Sequence, residues 1–147
     1  MLAWRAAVAD FVIARGEIAA ERLAQMGARI VLIARDKSRG EATLARLHER
    51  ASGLGHAVHY ADLARIPEMK RVAAEIAHKE PRIDVLINNV GAMFSSRRLT
   101  EDGLEYTFAL NHMAYFVVTE GLRERLLARG YMFSRLALVR AAFYRNV

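Results

Sequence analysis

Four short stretches of this 147-residue chain hold side chains able to do binding chemistry. Arg35-Asp36 ends the apolar run that begins at Arg29. A guanidinium there can pair with a phosphate, and a carboxylate can accept hydrogen bonds from hydroxyls. Taken alone, the pair is better read as a solvated strand end followed by an Asp helix cap. Asp62-Leu63 follows His56–Tyr60. Its carboxylate can accept from an adenine amino group, and an ordinary turn Asp is the plainer reading. Asn88-Asn89-Val90-Gly91 is more pointed. Asn amides bond the backbone of neighbouring strands, and a Gly lets a ligand approach the main chain. An Asn/Gly turn is the alternative, but the position directly after a hydrophobic run favours a site. Asn111 lies inside a helical stretch, where its side chain competes for backbone bonds; it either faces solvent or has a task. His112 beside it has no second His at i+4 and no carboxylate arranged to help. His48, His56, His59 and His78 are scattered, so no metal site is expected.

These residues are set among alternating strand-like and helix-like segments. Glu17–Met26 reads as a helix with Ile18, Leu23 and Met26 near one face, stopped by Gly27. Arg29–Ala34 is a compact β-rich run. Lys37–Ala51 is a second helix with Leu44 and Leu47 facing inward, broken by Gly53 and Gly55. His56–Tyr60 is a short strand. Ile66–Lys79 is a third helix: Pro67 suits its first turn, and Met69, Val72, Ala73 and Ile76 recur at helical spacing. Pro81 ends it. Ile83–Asn88 is another buried strand. Thr100 can cap a long helix to about Ala128, closed by Gly130. Leu136–Val139 is the last predicted strand. Ahead of Gly16, either Phe11–Ala14 forms a first strand or residues 2–15 run on as helix. Such alternation implies a doubly wound α/β fold with a parallel sheet of about four to five strands, in one domain. Open sheets of this kind bind ligands at the carboxyl ends of their strands. In a dinucleotide fold the end of the Arg29–Ala34 strand meets the adenosine ribose, where Arg35 would favour a 2′-phosphate.

Composition narrows the class. There is no Cys, which excludes disulfides, Cys-ligated zinc or iron–sulfur clusters, and a Cys nucleophile. Hydrophobic residues make up 54% and charged residues 26%, a globular balance. No apolar run is long enough for a membrane span. Asp10 argues against a targeting segment at the N-terminus, and a cytoplasmic location is expected. The net charge of +6 sits at the ends. Residues 17–120 are balanced, while residues 121–147 carry six Arg against one acid. A phosphate-binding face belongs in the folded middle, so no nucleic-acid partner is expected.

The middle of the chain resembles the short-chain dehydrogenase/reductase family, in its retinol-dehydrogenase-like branch. Asp84–Met93 (DVLINNVGAM) resembles the family's D-x-L-[IV]-N-N-A-G-x-M, with Val90 where Ala is usual. Arg98–Glu105 (RLTEDGLE) and Phe108–Phe116 (FALNHMAYF) resemble its R-x-T-x-D-G-x-E and F-x-x-N-H-L-G-x-F stretches. The likeness covers about residues 16–128, with atypical flanks at 1–15 and 129–147. It implies a Rossmann-like fold, hydride transfer between a nicotinamide cofactor and a small-molecule carbonyl or alcohol, and NADP(H) in preference to NAD(H). By carry-over, Arg35 would bind the adenosine phosphate and Asp62-Leu63 would flank adenine. Asn88, Asn89, Val90 and Gly91 would line the cofactor, and Asn111 would be the Asn of the catalytic tetrad.

The flanks depart from the pattern. The family opens with T-G-x-x-x-G-[IL]-G; Gly16 takes the last glycine's place, while Asp10 and Ala14 stand at the earlier two. A carboxylate there opposes a pyrophosphate, so cofactor binding is expected to be impaired. The catalytic Ser is absent after Leu136–Val139, where Arg140-Ala141 stand. No Tyr-x-x-x-Lys occurs: Tyr131 has Arg135 at i+4. The expectation is a truncated, inactive chain with an altered reading frame or shortened gene; an uninterrupted full-length frame at the locus would contradict it. A last strand left at the edge of the sheet favours self-association. The alternative is a non-catalytic nucleotide-binding or interaction module whose basic tail, interleaved with Tyr131 and Tyr144, meets an anionic partner.

Overall fold

The computed structural model describes residues 4–9, 15–128 and 135–137. Five parallel strands form one sheet in the order β3-β2-β1-β4-β5. They are β1 Trp4–Ala9, β2 Ala28–Ala34, β3 Ala57–Tyr60, β4 Val85–Asn88 and β5 Arg135–Ala137. Helices α1 Arg15–Gln25, α2 Lys37–Arg50 and α3 Ile66–Lys79 make the crossovers. After β4 come a short α4 turn Tyr106–Phe108, a π-helical turn Ala109–Met113 and α5 Ala114–Leu127. The order reverses at β1, which pairs with β2 on one side and β4 on the other.

The alternation of β2 builds both layers, because successive strand side chains point to opposite faces. Ile30 and Leu32 pack with Ala20 and Ala24 of α1 and Leu47 of α2. Val31 and Ile33 join the other core, with Met69, Val72, Ala73 and Ile76 of α3 and Ala114, Val118 and Leu122 of α5. Burying each large aliphatic side chain contributes about 1.5–3 kcal/mol, so a run apolar on both faces belongs inside a two-faced sheet. Helices α3 and α5 approach closely at Gly121: a Cβ there would lie 2.6 Å from that of Ala73.

Several expected boundaries move. The first strand is Trp4–Ala9, which replaces the helix considered for residues 2–15; the other expectation, a strand at Phe11–Ala14, lies outside the described residues. The buried side of α1 is Ala20 and Ala24, while Ile18 is 52% and Met26 78% exposed. Small residues let α1 lie close to the sheet; Leu23 packs half-buried against the same core, as expected, while Ile18 falls on the outer face and Met26 lies past the helix end. Strand β3 starts at Ala57, one residue late, and β4 at Val85, two late. His56 has a different task. Its Nδ1 accepts from the Ile30 amide at 3.0 Å, and its Nε2 lies 3.1 Å from the Ala51 carbonyl. The ring thus satisfies β2 just before its ladder with β3 begins at Val31↔Ala57.

The largest correction concerns the helix expected from Thr100. It begins at Tyr106, with Glu105 as its cap, accepting from the Thr107 and Phe108 amides at 3.0 and 2.8 Å. Those bonds hold the Glu105 carboxyl below its ordinary pKa. Thr100 instead closes a tight loop. Its amide donates to the Leu104 carbonyl, and its carbonyl accepts from Gly103, whose φ is +75°. The last strand is Arg135–Ala137. Leu138, Val139 and Gly130 lie outside the described residues, as do Asp10 and Ala14 of the expected glycine loop.

Candidate functional site

The register pairs Asn88 with Ala9. That places the end of β4 beside the end of the central strand, where the sheet order reverses; open sheets of this kind bind ligands in the crevice expected at such a point. Asn88 is buried. Its Nδ2 donates to Thr119 Oγ1 at 3.2 Å, and its Oδ1 has no hydrogen-bond partner among the described residues. A buried amide oxygen without a partner is costly.

Three side chains on one stripe of the helix hold the chain that leaves β4. Asn111 Oδ1 accepts from the Ala92 amide at 3.1 Å, and its Nδ2 donates to the Ala92 carbonyl at 2.6 Å. Tyr115 Oη donates to the Val90 carbonyl, and burial raises its pKa. Thr119 receives the amide of Asn88. The helix advances four residues for each two the extended segment retreats. Four helical residues rise about 6 Å and two extended ones about 6.6 Å, so the repeats match. Asn111 lies in the π-helical turn. Such turns carry an inserted residue and often occur at functional sites. Asn111 thus bonds the backbone of Ala92 rather than standing free in solvent. Gly91 permits the approach: a Cβ there would lie 2.8 Å from Asn111 Oδ1.

The remaining expected site residues line the same edge of the sheet. Arg35, exposed, follows β2 directly. Asp36 is the N-cap of α2, accepting from the Arg39 amide at 2.8 Å, as the plainer reading of that residue had it. Past β3, the half-buried Asp62 accepts from the Ala64 amide through Oδ1 at 3.0 Å, which makes it a turn residue. Leu63 is 1% exposed and packs in the core, so only its backbone is offered outward. Asn89 is half-buried and Val90 buried. Gly16 is buried in the first turn of α1. The adjoining Glu17 pairs with Arg46 at 2.6 Å, which neutralises a carboxylate at a helix start.

Tyr115, Thr119 and the backbone of Ala92 were not anticipated. The spacing Asn111, Tyr115, Thr119 at i, i+4 and i+8 was the available signal. Among the described residues no helix is long and apolar enough to cross a membrane.

An open parallel sheet with polar groups gathered at its point of reversal is a nucleotide-binding architecture. The chain belongs to the short-chain dehydrogenase family, whose family model matches residues 15–131. Retinol dehydrogenase 13 of Homo sapiens is 37% identical over 115 residues, covering 77% of this chain and 34% of the relative. Retinol dehydrogenase 14 of Mus musculus is 31% identical over 140 residues, covering 88% of this chain and 41% of the relative. The chain thus spans between a third and about two fifths of their length. Among solved structures, a metagenomic short-chain oxidoreductase in complex with NADP superposes with a TM-score of 0.71 at 25% identity, over 86% of this chain and 57% of that one. An NADH-dependent reductase complexed with NAD has the same TM-score at 23% identity, over 87% of this chain and 54% of that one. The latter likeness is one of fold.

Proposed function

We propose that these residues form the nucleotide-binding part of an oxidoreductase that moves hydride between a nicotinamide cofactor and a small-molecule carbonyl or alcohol. With that reading go a preference for NADP(H) over NAD(H) and a cytoplasmic location. The observation that carries it is the meeting of Arg35, Asp62 and Asn88–Gly91 at one edge of the sheet, at the ends of β2, β3 and β4. The retinol dehydrogenases among the relatives and the NADP-bound oxidoreductase among the solved structures support it.

The residues present fit the adenosine half of such a cofactor. The exposed Arg35 guanidinium suits a 2′-phosphate, the second carboxylate oxygen of Asp62, unbonded among the described residues, suits an amino group, and Gly91 suits close approach of a ligand to the main chain. When bound, the nicotinamide supplies or accepts hydride. Asn111 keeps the wall of the crevice in place by fixing Ala92 from both sides. The sequence contains no Tyr-x-x-x-Lys to deliver a proton to the reacting oxygen. We therefore assign these 147 residues nucleotide binding without turnover. Calorimetry of the purified chain with NADPH and NADH tests the reading: NADPH is expected to bind, and the tighter of the two. Heats indistinguishable from dilution for both ligands would overturn it.

A further inference from the structure

Helix α3 starts without a cap of its own. Its N-cap residue, Arg65, offers no side-chain bond to the first turn, and Pro67 has no amide to satisfy. The exposed amide of Ile66 is met from elsewhere. Asp102 Oδ2 accepts it at 2.7 Å, across 36 residues of sequence. A carboxylate is suited to that place, because the helix start carries partial positive charge. Arg65 and Glu101 pair alongside at 2.9 Å, both exposed. Asp102 is in turn held in shape by the Thr100–Leu104 loop, with Gly103 in the left-handed region.

The segment that Asp102 anchors is the one that presents Asp62. Asp62 bonds the Ala64 amide through Oδ1 and the Arg65 amide through its carbonyl at 3.1 Å. The turn is thus closed internally at its start and tied at its end to a loop that follows the crevice wall. Losing the Ile66 bond frees the end of the turn while leaving the hydrophobic face of α3 in place.

We propose that Asp102 is a positioning residue for the adenine end of the nucleotide, acting through Ile66 on the Asp62–Ile66 turn. The inference rests on the nucleotide-binding reading above. It explains why an acidic residue sits beside Gly103 in a loop that touches no reacting atom.

The test compares wild type, Asp102→Ala and Asp102→Asn by calorimetry with 2′,5′-ADP and with nicotinamide mononucleotide. Exchange of the Ile66 amide is followed in parallel. Asp102→Ala is expected to weaken 2′,5′-ADP about fivefold, the equivalent of one lost helix cap, with the mononucleotide unchanged. Asp102→Asn keeps an oxygen acceptor and is expected to regain part of the loss. The Ile66 amide is expected to exchange faster in Asp102→Ala while Val72 and Ile76 keep their protection. An unaltered 2′,5′-ADP affinity, an equal loss for both ligands, or unchanged Ile66 exchange would overturn the inference alone. Failure of wild type to bind 2′,5′-ADP would overturn the nucleotide reading, and this proposal with it.

Discussion

Asn111 and Ala92 are joined by two hydrogen bonds of opposite direction, one accepted at 3.1 Å and one donated at 2.6 Å by the same amide. No other natural side chain of that length offers both a donor and an acceptor to one peptide unit. The pair closes a ladder continued by Tyr115 with Val90 and Thr119 with Asn88. Asn111→Leu is therefore expected to leave both polar groups of Ala92 without a protein partner. We expect a loss of about 1–3 kcal/mol in urea denaturation, with the smaller end set by water reaching a half-buried site. A midpoint unchanged from wild type would show that the clamp contributes nothing.

The close approach of α3 and α5 at Gly121 sets two effects against each other. Gly121→Ala gains about 1 kcal/mol of helix propensity. The new Cβ would stand 2.6 Å from that of fully buried Ala73, and overpacking of this kind costs about 1–3 kcal/mol. The clash is expected to win, so Gly121→Ala lowers the melting temperature. Adding Ala73→Gly is expected to recover the packing part of the loss. A stabilised single variant would show that the two helices can separate freely.

Acid should act on His56 before it acts on the carboxylates. Burial holds its pKa below the ordinary 6.5, with repulsion from His48 and Arg29 adding and the Ala51 carbonyl opposing. Because Nδ1 accepts from Ile30, the folded state requires a neutral ring. The unfolded chain binds the proton more readily, so the stabilisation is complete above about pH 6.5 and falls as the pH drops toward the depressed folded value. Denaturation midpoints at pH 7.5 and 5.5 check this. The wild type is expected to lose stability over that interval, and His56→Gln to lose less. Equal slopes in the two proteins would remove His56 as the cause.

Much of this was legible in the sequence, and the exceptions have physical reasons. Met69, Val72, Ala73 and Ile76 are all fully buried, as their spacing in Ile66–Lys79 required. The strands expected at residues 29–34 and 83–88 are found at Ala28–Ala34 and Val85–Asn88, parallel members of one sheet with β1 between them. Thr100 misled because Thr is a preferred cap and Glu is not, yet the Glu105 carboxylate takes that place; the bond between Thr100 and Leu104 turns the chain before the helix begins. Ile18 and Met26 are hydrophobic yet exposed, because α1 needs small residues, Ala20 and Ala24, against the sheet. The partner of Asn111 was hidden because Ala92 contributes only its backbone. The cap of α3 was hidden because it comes from Asp102, beyond the reach of any local motif.

Cofactor choice should rest on Arg35. An exposed guanidinium at the end of β2 can give charge-assisted hydrogen bonds to a 2′-phosphate, and NAD(H) has none to offer in return. Arg35→Ala is expected to weaken NADPH by about tenfold, in line with one charged hydrogen bond, and to leave NADH nearly unchanged. An unaltered NADPH-to-NADH ratio would place the phosphate elsewhere.

Turnover is expected to stay at background. Hydride transfer to a carbonyl leaves an alkoxide, and that oxygen needs a proton from a positioned acid. Family resemblance assigns this to a Tyr made more acidic by a Lys four residues on. Here every Tyr fails that test: position i+4 is Ala64 after Tyr60, Leu110 after Tyr106, Thr119 after Tyr115 and Arg135 after Tyr131, while these residues include none four past Tyr144. Tyr115 cannot substitute, since its hydroxyl is already donated to Val90 and burial raises its pKa. Loss of a single donor at such a site costs about 10²–10³ in rate, and losses within one unit are not additive. The measurement is NADPH oxidation followed by absorbance with aldehydes, ketones and retinal-like substrates. A rate clearly above a no-protein control, and abolished by Asn111→Ala, would show that these residues hold a proton donor of a different kind.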